Sequence, residues 1–99
     1  MYTLRILEYA DKELQETAQW YEGSKKGLGL RFIEVIKHKL EIIQRYPERN
    51  PKRNGNFREA IVKTFPYIII YTVYKNEKII TINSIFHTSR NPKRKLKKK

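Results

Sequence analysis

The chain has 99 residues, 39% of them hydrophobic and 12% aromatic, with 22 Lys and Arg against 10 Asp and Glu. That is one domain with enough apolar surface for a modest core, and its net charge of +12 favours a polyanionic partner: nucleic acid, a nucleoprotein or an acidic protein. The absence of cysteine excludes disulfides, thiol nucleophiles and Cys-based zinc sites.

No apolar run is long enough to span a bilayer and no signal-peptide plan opens the chain, so a cytoplasmic location without membrane contact is expected. Six positive charges lie in Lys93-Arg94-Lys95-Leu96-Lys97-Lys98-Lys99, which leaves half of the net charge on residues 1–92. The tail reads as a basic, disordered extension of a single domain over residues 1–92.

In chain order, Tyr2, Leu4 and Ile6 alternate with Thr3 and Arg5, the pattern of a short, half-buried strand. Ala10, Leu14, Ala18 and Tyr21 then recur at helical spacing, with Asp11 and Glu13 opposing the positive end of the helix dipole. Residues 22–27 carry Gly23 and Gly27 and break that helix. A second helix over residues 28–46 shows the stripe Phe32, Ile36, Leu40 and Ile43, and Pro47 ends it. The short link between them predicts an antiparallel helix pair.

Residues 47–56 read as a polar, mobile loop carrying Arg49, Lys52 and Arg53. A strand follows over 57–64, with Arg58, Ala60 and Val62 on one face and Phe57, Glu59, Ile61 and Lys63 on the other. Pro66 marks the turn into a hairpin whose β-branched and aromatic strands, 65–74 and 79–87, flank Lys75-Asn76-Glu77-Lys78. The predicted class is α+β: an N-terminal strand, a helical hairpin, then a three-stranded antiparallel meander with helices on one face.

Several stretches in this order resemble one family. They are Leu28-Gly29-Leu30-Arg31-Phe32 opening the second helix, Pro47 closing it, and Arg58 starting a strand. Phe65-Pro66-Tyr67-Ile68-Ile69-Ile70-Tyr71 and His87-Thr88-Ser89-Arg90-Asn91-Pro92 complete the set. The resemblance is to the RelE/ParE superfamily of bacterial toxins, also called plasmid stabilisation proteins, and is closest to its ParE-like branch. It implies the βααβββ fold and a growth-arresting toxin of a type II toxin–antitoxin module. It also implies a cognate antitoxin bound in a hetero-oligomer, and no cofactor or metal. Two targets follow from the two branches: DNA gyrase, poisoned without a catalytic site, or the translating ribosome, on which mRNA is cut.

Metal-free RNA cleavage needs an acid, a base and cations for the charge that builds on phosphorus. His87 can serve as acid or base, and Arg58 and Arg90 can hold phosphate through paired bonds. Arg49, Lys52, Arg53, Lys63, Lys93, Arg94 and Lys95 can bind the target or nucleic acid by charge. However, RelE-like nucleases commonly place a tyrosine near the C-terminus, and no tyrosine follows Tyr74 here. No Glu is obviously paired with His87, although Glu59 on a neighbouring strand is a candidate. The comparison favours gyrase poisoning over ribosome-dependent cleavage. A non-toxic nucleic-acid-binding module stays open beside both.

Plainer readings stand next to these. Arg58 can be one half of a structural ion pair, and His87 can bond backbone or solvent. Tyr67, Tyr71 and Tyr74 read as packing residues, and His38 as a solvated one. Trp20 reads as helix–sheet packing or as part of an antitoxin-binding surface.

Overall fold

The computed structural model describes residues 1–88. Its elements run β1 (Thr3–Ile6), α1 (Glu8–Ser24), α2 (Leu28–Arg45), β2 (Lys52–Asn54), β3 (Phe57–Val62), β4 (Tyr67–Tyr74) and β5 (Ile79–His87). The strands form one five-stranded sheet in the order β1-β5-β4-β3-β2. This is the expected α+β plan, with a mixed sheet. β3, β4 and β5 are the antiparallel meander, while β1 pairs with β5 in parallel, Leu4 opposite Ile80 and Ile6 opposite Ile82.

The core lies between the helices and one sheet face. From α1 come Ala10 and Leu14, and from α2 the stripe Phe32, Ile36, Leu40 and Ile43, all buried. They meet Ala60, Val62, Tyr67, Ile69, Tyr71, Ile80, Ile82 and Ile85. On β4 this is every second residue, as the pleat requires. On β5 the period breaks: Ile70 pairs with Ser84 but Tyr71 with Ile82, so Asn83 is an extra residue. This bulge lets Ile82 and Ile85, three apart in sequence, enter the same core. Its polar residue is held on the other face, where Thr72 Oγ1 donates to Asn83 Oδ1 at 3.0 Å.

Two joints hold the helices in place. Gln44 Nε2 of α2 donates to the carbonyl of Tyr2 at 2.7 Å. At the start of α2, Gly27 takes φ +87°, and Glu22 of α1 accepts the backbone N–H of Gly27 and of Gly29, both at 2.9 Å. A carboxylate from the preceding helix thus caps donors that no side chain at Gly27 can reach.

Three readings of the sequence are corrected. Gly23 does not end α1; it lies in its last turn, and the left-handed backbone comes at Gly27. Part of the polar segment 47–56 is strand β2, with Lys52 opposite Arg58 and Asn54 opposite Phe57. Its side chains carry no apolar pattern because all three are exposed. Trp20 is 66% exposed, so it is not a helix–sheet packing residue; its ring meets Tyr21 edge-on at 5.0 Å. Among the described residues no helix is long and apolar enough to cross a membrane. The tail 93–99 lies outside the described residues.

Candidate functional site

The segment after α2 is tied down from beneath by two neighbours on adjacent strands. Arg58 of β3 and Tyr71 of β4 stand opposite each other in the register. Tyr71 is fully buried and its hydroxyl donates to the carbonyl of Pro47 at 2.8 Å. The same oxygen accepts from Asn50 Nδ2 at 3.2 Å. Arg58 Nη1 donates to the carbonyl of Asn50 at 2.5 Å. Residues 47 and 50, the two ends of a tight loop, are therefore bonded to the sheet floor.

Charge completes the joint. Glu48 lies 4.0 Å from Arg58 Nη2 and 3.3 Å from Lys75 Nζ, so it links the loop to the tip of the β4–β5 hairpin. The Arg58 side chain is only 11% exposed. Burial raises the Tyr71 phenol above its ordinary value, against the smaller opposing pull of the Asn50 bond and the Arg58 charge. The hydroxyl therefore keeps its proton and stays a donor to Pro47.

Outside this joint stand the cations of the loop. Arg49 lies over the Tyr46 ring with Cζ 4.6 Å from the centroid. Lys52 and Arg53 are exposed on the edge strand β2. Among the described residues none of these three is in an ion pair, whereas Arg58 and Lys75 share Glu48. The structure thus gathers Arg49, Lys52, Arg53 and Arg58 at one corner, with Arg58 turned inward.

His87 is elsewhere. It ends β5 opposite Tyr67, and its ring meets the Tyr67 ring edge-on at 5.2 Å. Tyr67 is hydrogen-bonded to Tyr21, whose phenol is raised by burial, by the nearby Tyr67 and by that bond. Lys63, exposed in the β3–β4 turn, lies at this same end of the sheet. Tyr67 and Tyr71 are four positions apart on β4, so the His87 and Arg58 positions are separated by about 13 Å along the strand. Nor does Glu59 approach His87: it shares a face with Phe57 and Ile61, opposite the face that Tyr67 and His87 occupy. Arg90, Lys93, Arg94 and Lys95 lie outside the described residues. Among those residues no three His, Cys, Asp or Glu side chains converge.

The sequence did not single out Glu48 and Asn50. The available signal was Tyr71 itself: a tyrosine in an isoleucine-rich central strand needs a partner for its hydroxyl, and the polar segment 47–50 is the nearest in sequence to supply one. Tyr67 and Tyr71 are buried, as read from the sequence, while Tyr74 is 48% exposed. His38 is solvated as expected, its side chain 75% exposed and its Nδ1 4.0 Å from Glu41.

This architecture recurs among solved structures. It is similar to a protein of the chromosomal ParDE toxin–antitoxin system of P. aeruginosa, with TM-score 0.76 and 18% identity over 90% of this chain and 98% of that one. The isolated E. coli RelE toxin superposes with TM-score 0.66 and 22% identity over 99% of this chain and 98% of the other. The E. coli RelBE toxin–antitoxin complex gives TM-score 0.67 at 22% identity, covering 91% and 100%. None of the curated proteins compared matches the chain. Residues 4–92 match the family described as ParE toxin of type II toxin-antitoxin system, parDE. The chain belongs to the ParE toxin family. The RelE/ParE resemblance read from the sequence is thereby shown, and the protein is a toxin of a type II toxin–antitoxin system. In this ParE-family toxin, Arg58 and His87 stand on the two strands flanking β4, four positions apart along it.

Proposed function

We propose that this toxin arrests growth by poisoning DNA gyrase and is neutralised by a cognate antitoxin in a hetero-oligomer. The observation that carries the reading is the position of Arg58. It is bonded to Asn50 and faces Glu48, about four strand positions from His87. A phosphate in transit from one nucleotide oxygen to another must be held within hydrogen-bond reach of its acid, base and cations. His87 and Arg58 do not offer that arrangement, so a binding mode of action is the better supported one. The absence of any tyrosine after Tyr74 supports the same side.

The test is a pair of assays with the purified full chain. Gyrase with supercoiled plasmid should accumulate double-strand breaks when the toxin is present, and the breaks should disappear when the antitoxin is added. Cell-free translation with mapping of mRNA ends should show no cuts within codons. Codon-phased cuts without gyrase-dependent breaks would overturn the proposal in favour of ribosome-dependent cleavage. A chain that neither arrests growth when expressed alone nor is rescued by the neighbouring gene would leave only a nucleic-acid-binding module.

A further inference from the structure

We infer that Arg58, Tyr71 and Asn50 are positioning residues: they clamp the 47–50 loop so that Arg49, Lys52 and Arg53 form a preorganised edge for a phosphodiester backbone. Arg58 itself touches no partner. The inference deepens the proposed mode of action by naming the chemistry of the contact, and it rests on target binding by this corner of the molecule.

Four observations carry it. Tyr71 has no exposed surface, so its bonds to Pro47 and Asn50 serve the loop and nothing outside. The Arg58 side chain is mostly buried, with Nη1 on Asn50, Nη2 facing Glu48 and Nε enclosed without a partner. Glu48 sits between Arg58 and Lys75, 4.0 and 3.3 Å from their charged nitrogens, and offsets part of their charge. The three cations that remain are exposed: Arg49 lies within the loop held at Pro47 and Asn50, and Lys52 and Arg53 follow it on β2, which pairs with β3. Fixing them beforehand lowers the ordering cost that free side chains and a free loop bring to binding.

The edge favours nucleic acid over an acidic protein. Two of its three cations are arginines, whose planar fork suits phosphate and carboxylate oxygens alike, so the preference rests on the aromatic ring beside them. Arg49 lies against the ring of Tyr46, which is 49% exposed. A guanidinium on an accessible aromatic ring gives a base a surface on which to stack, beside cations for its phosphate.

The experiment measures binding of the full chain to a labelled duplex DNA, a single-stranded RNA of equal length and polyglutamate, each across a salt series and without gyrase. Replacing Arg49, Lys52 and Arg53 by Ala should lower affinity for a nucleic acid and reduce the salt slope by about 0.9 per lost contact on duplex DNA. Tyr71→Phe changes no charge and no exposed atom. It should nevertheless weaken nucleic-acid binding roughly threefold to tenfold while raising amide exchange across residues 48–53. Asn50→Ala, a milder change at the loop, should do the same. Arg58→Lys should behave like these variants, since the lysine keeps the charge but loses the paired geometry.

The DNA and RNA arms decide which backbone is preferred, and either preference supports the inference. Unchanged affinity in the triple variant would overturn the edge. Normal affinity with a loosened loop in Tyr71→Phe and Asn50→Ala would overturn the clamp. Polyglutamate bound as tightly as nucleic acid would overturn the phosphodiester reading. Failure of the gyrase assay with these results intact would remove the proposed target and leave the positioning roles standing.

Discussion

Gly29 sits where α2 starts against α1. A Cβ there would lie 2.4 Å from the carbonyl oxygen of Ala18 and 3.0 Å from Glu22 Cβ. The first neighbour is backbone, so the helices must move apart. Gly29→Ala should therefore destabilise the fold by about 1–3 kcal/mol, read as a shifted midpoint in urea denaturation. Glu22 acts at the same joint. The N–H of Gly27, then that of Gly29 and of Leu30, hold its carboxyl below the ordinary 4.5. A depressed native value means that the stabilisation is fully present above about pH 4.5 and is lost as pH falls through the lower native value. Glu22→Gln should flatten that part of the melting-temperature profile and leave its neutral-pH slope unchanged. Neither role was legible from periodicity, because both depend on how closely two helices approach. Arg58 was legible as a strand residue that could hold phosphate or form an ion pair; its bond to the Asn50 carbonyl and its approach to Glu48 were not.

The elements were readable where their own residues carry a period. The α2 stripe and the β4–β5 hairpin show it, since each has one face against the core. β2 has no such face, and its pairing with β3 is a backbone matter. β1 was read as a strand, but its parallel pairing with β5 was not, because strand order follows from how the helical hairpin returns the chain to the sheet. That order has a consequence at the edge. β1 covers β5 only as far as Ile82, and beyond it Glu13 of α1 accepts the Ile85 N–H at 2.8 Å and the Ser84 hydroxyl at 2.9 Å. The carboxylate does what a longer strand would do. Glu13→Ala should cost about 1–3 kcal/mol in thermal or urea denaturation, since it leaves two part-buried donors unmatched. Glu13→Gln retains an accepting oxygen and should recover much of that loss.

At the scale of the molecule the charge is unevenly placed. Six cations fall in residues 93–99 and a further group at the 49–53 corner. Deleting 93–99, which contains one apolar residue, should leave the melting temperature unchanged and weaken nucleic-acid binding with a reduced salt slope. A large fall in melting temperature would instead show that the segment packs. The family match over residues 4–92 makes the chain a type II toxin, and its fold is the one seen in the ParDE structure.

The sequence by itself determined the order of every element except β2, the buried faces, the cationic balance and the family. All of these are written in local periodicity, turn residues and short motifs, which need no knowledge of distant neighbours. Only the tertiary structure decided which cations face outward, that Glu13 completes a strand edge, and that His87 stands apart from Arg58. Those facts depend on strand register and on hydrogen bonds between residues 8 to 72 positions apart in sequence, such as Arg58 with Asn50 and Ile85 with Glu13. A buried donor or acceptor must find a partner, but the identity of that partner is settled only when the chain has folded.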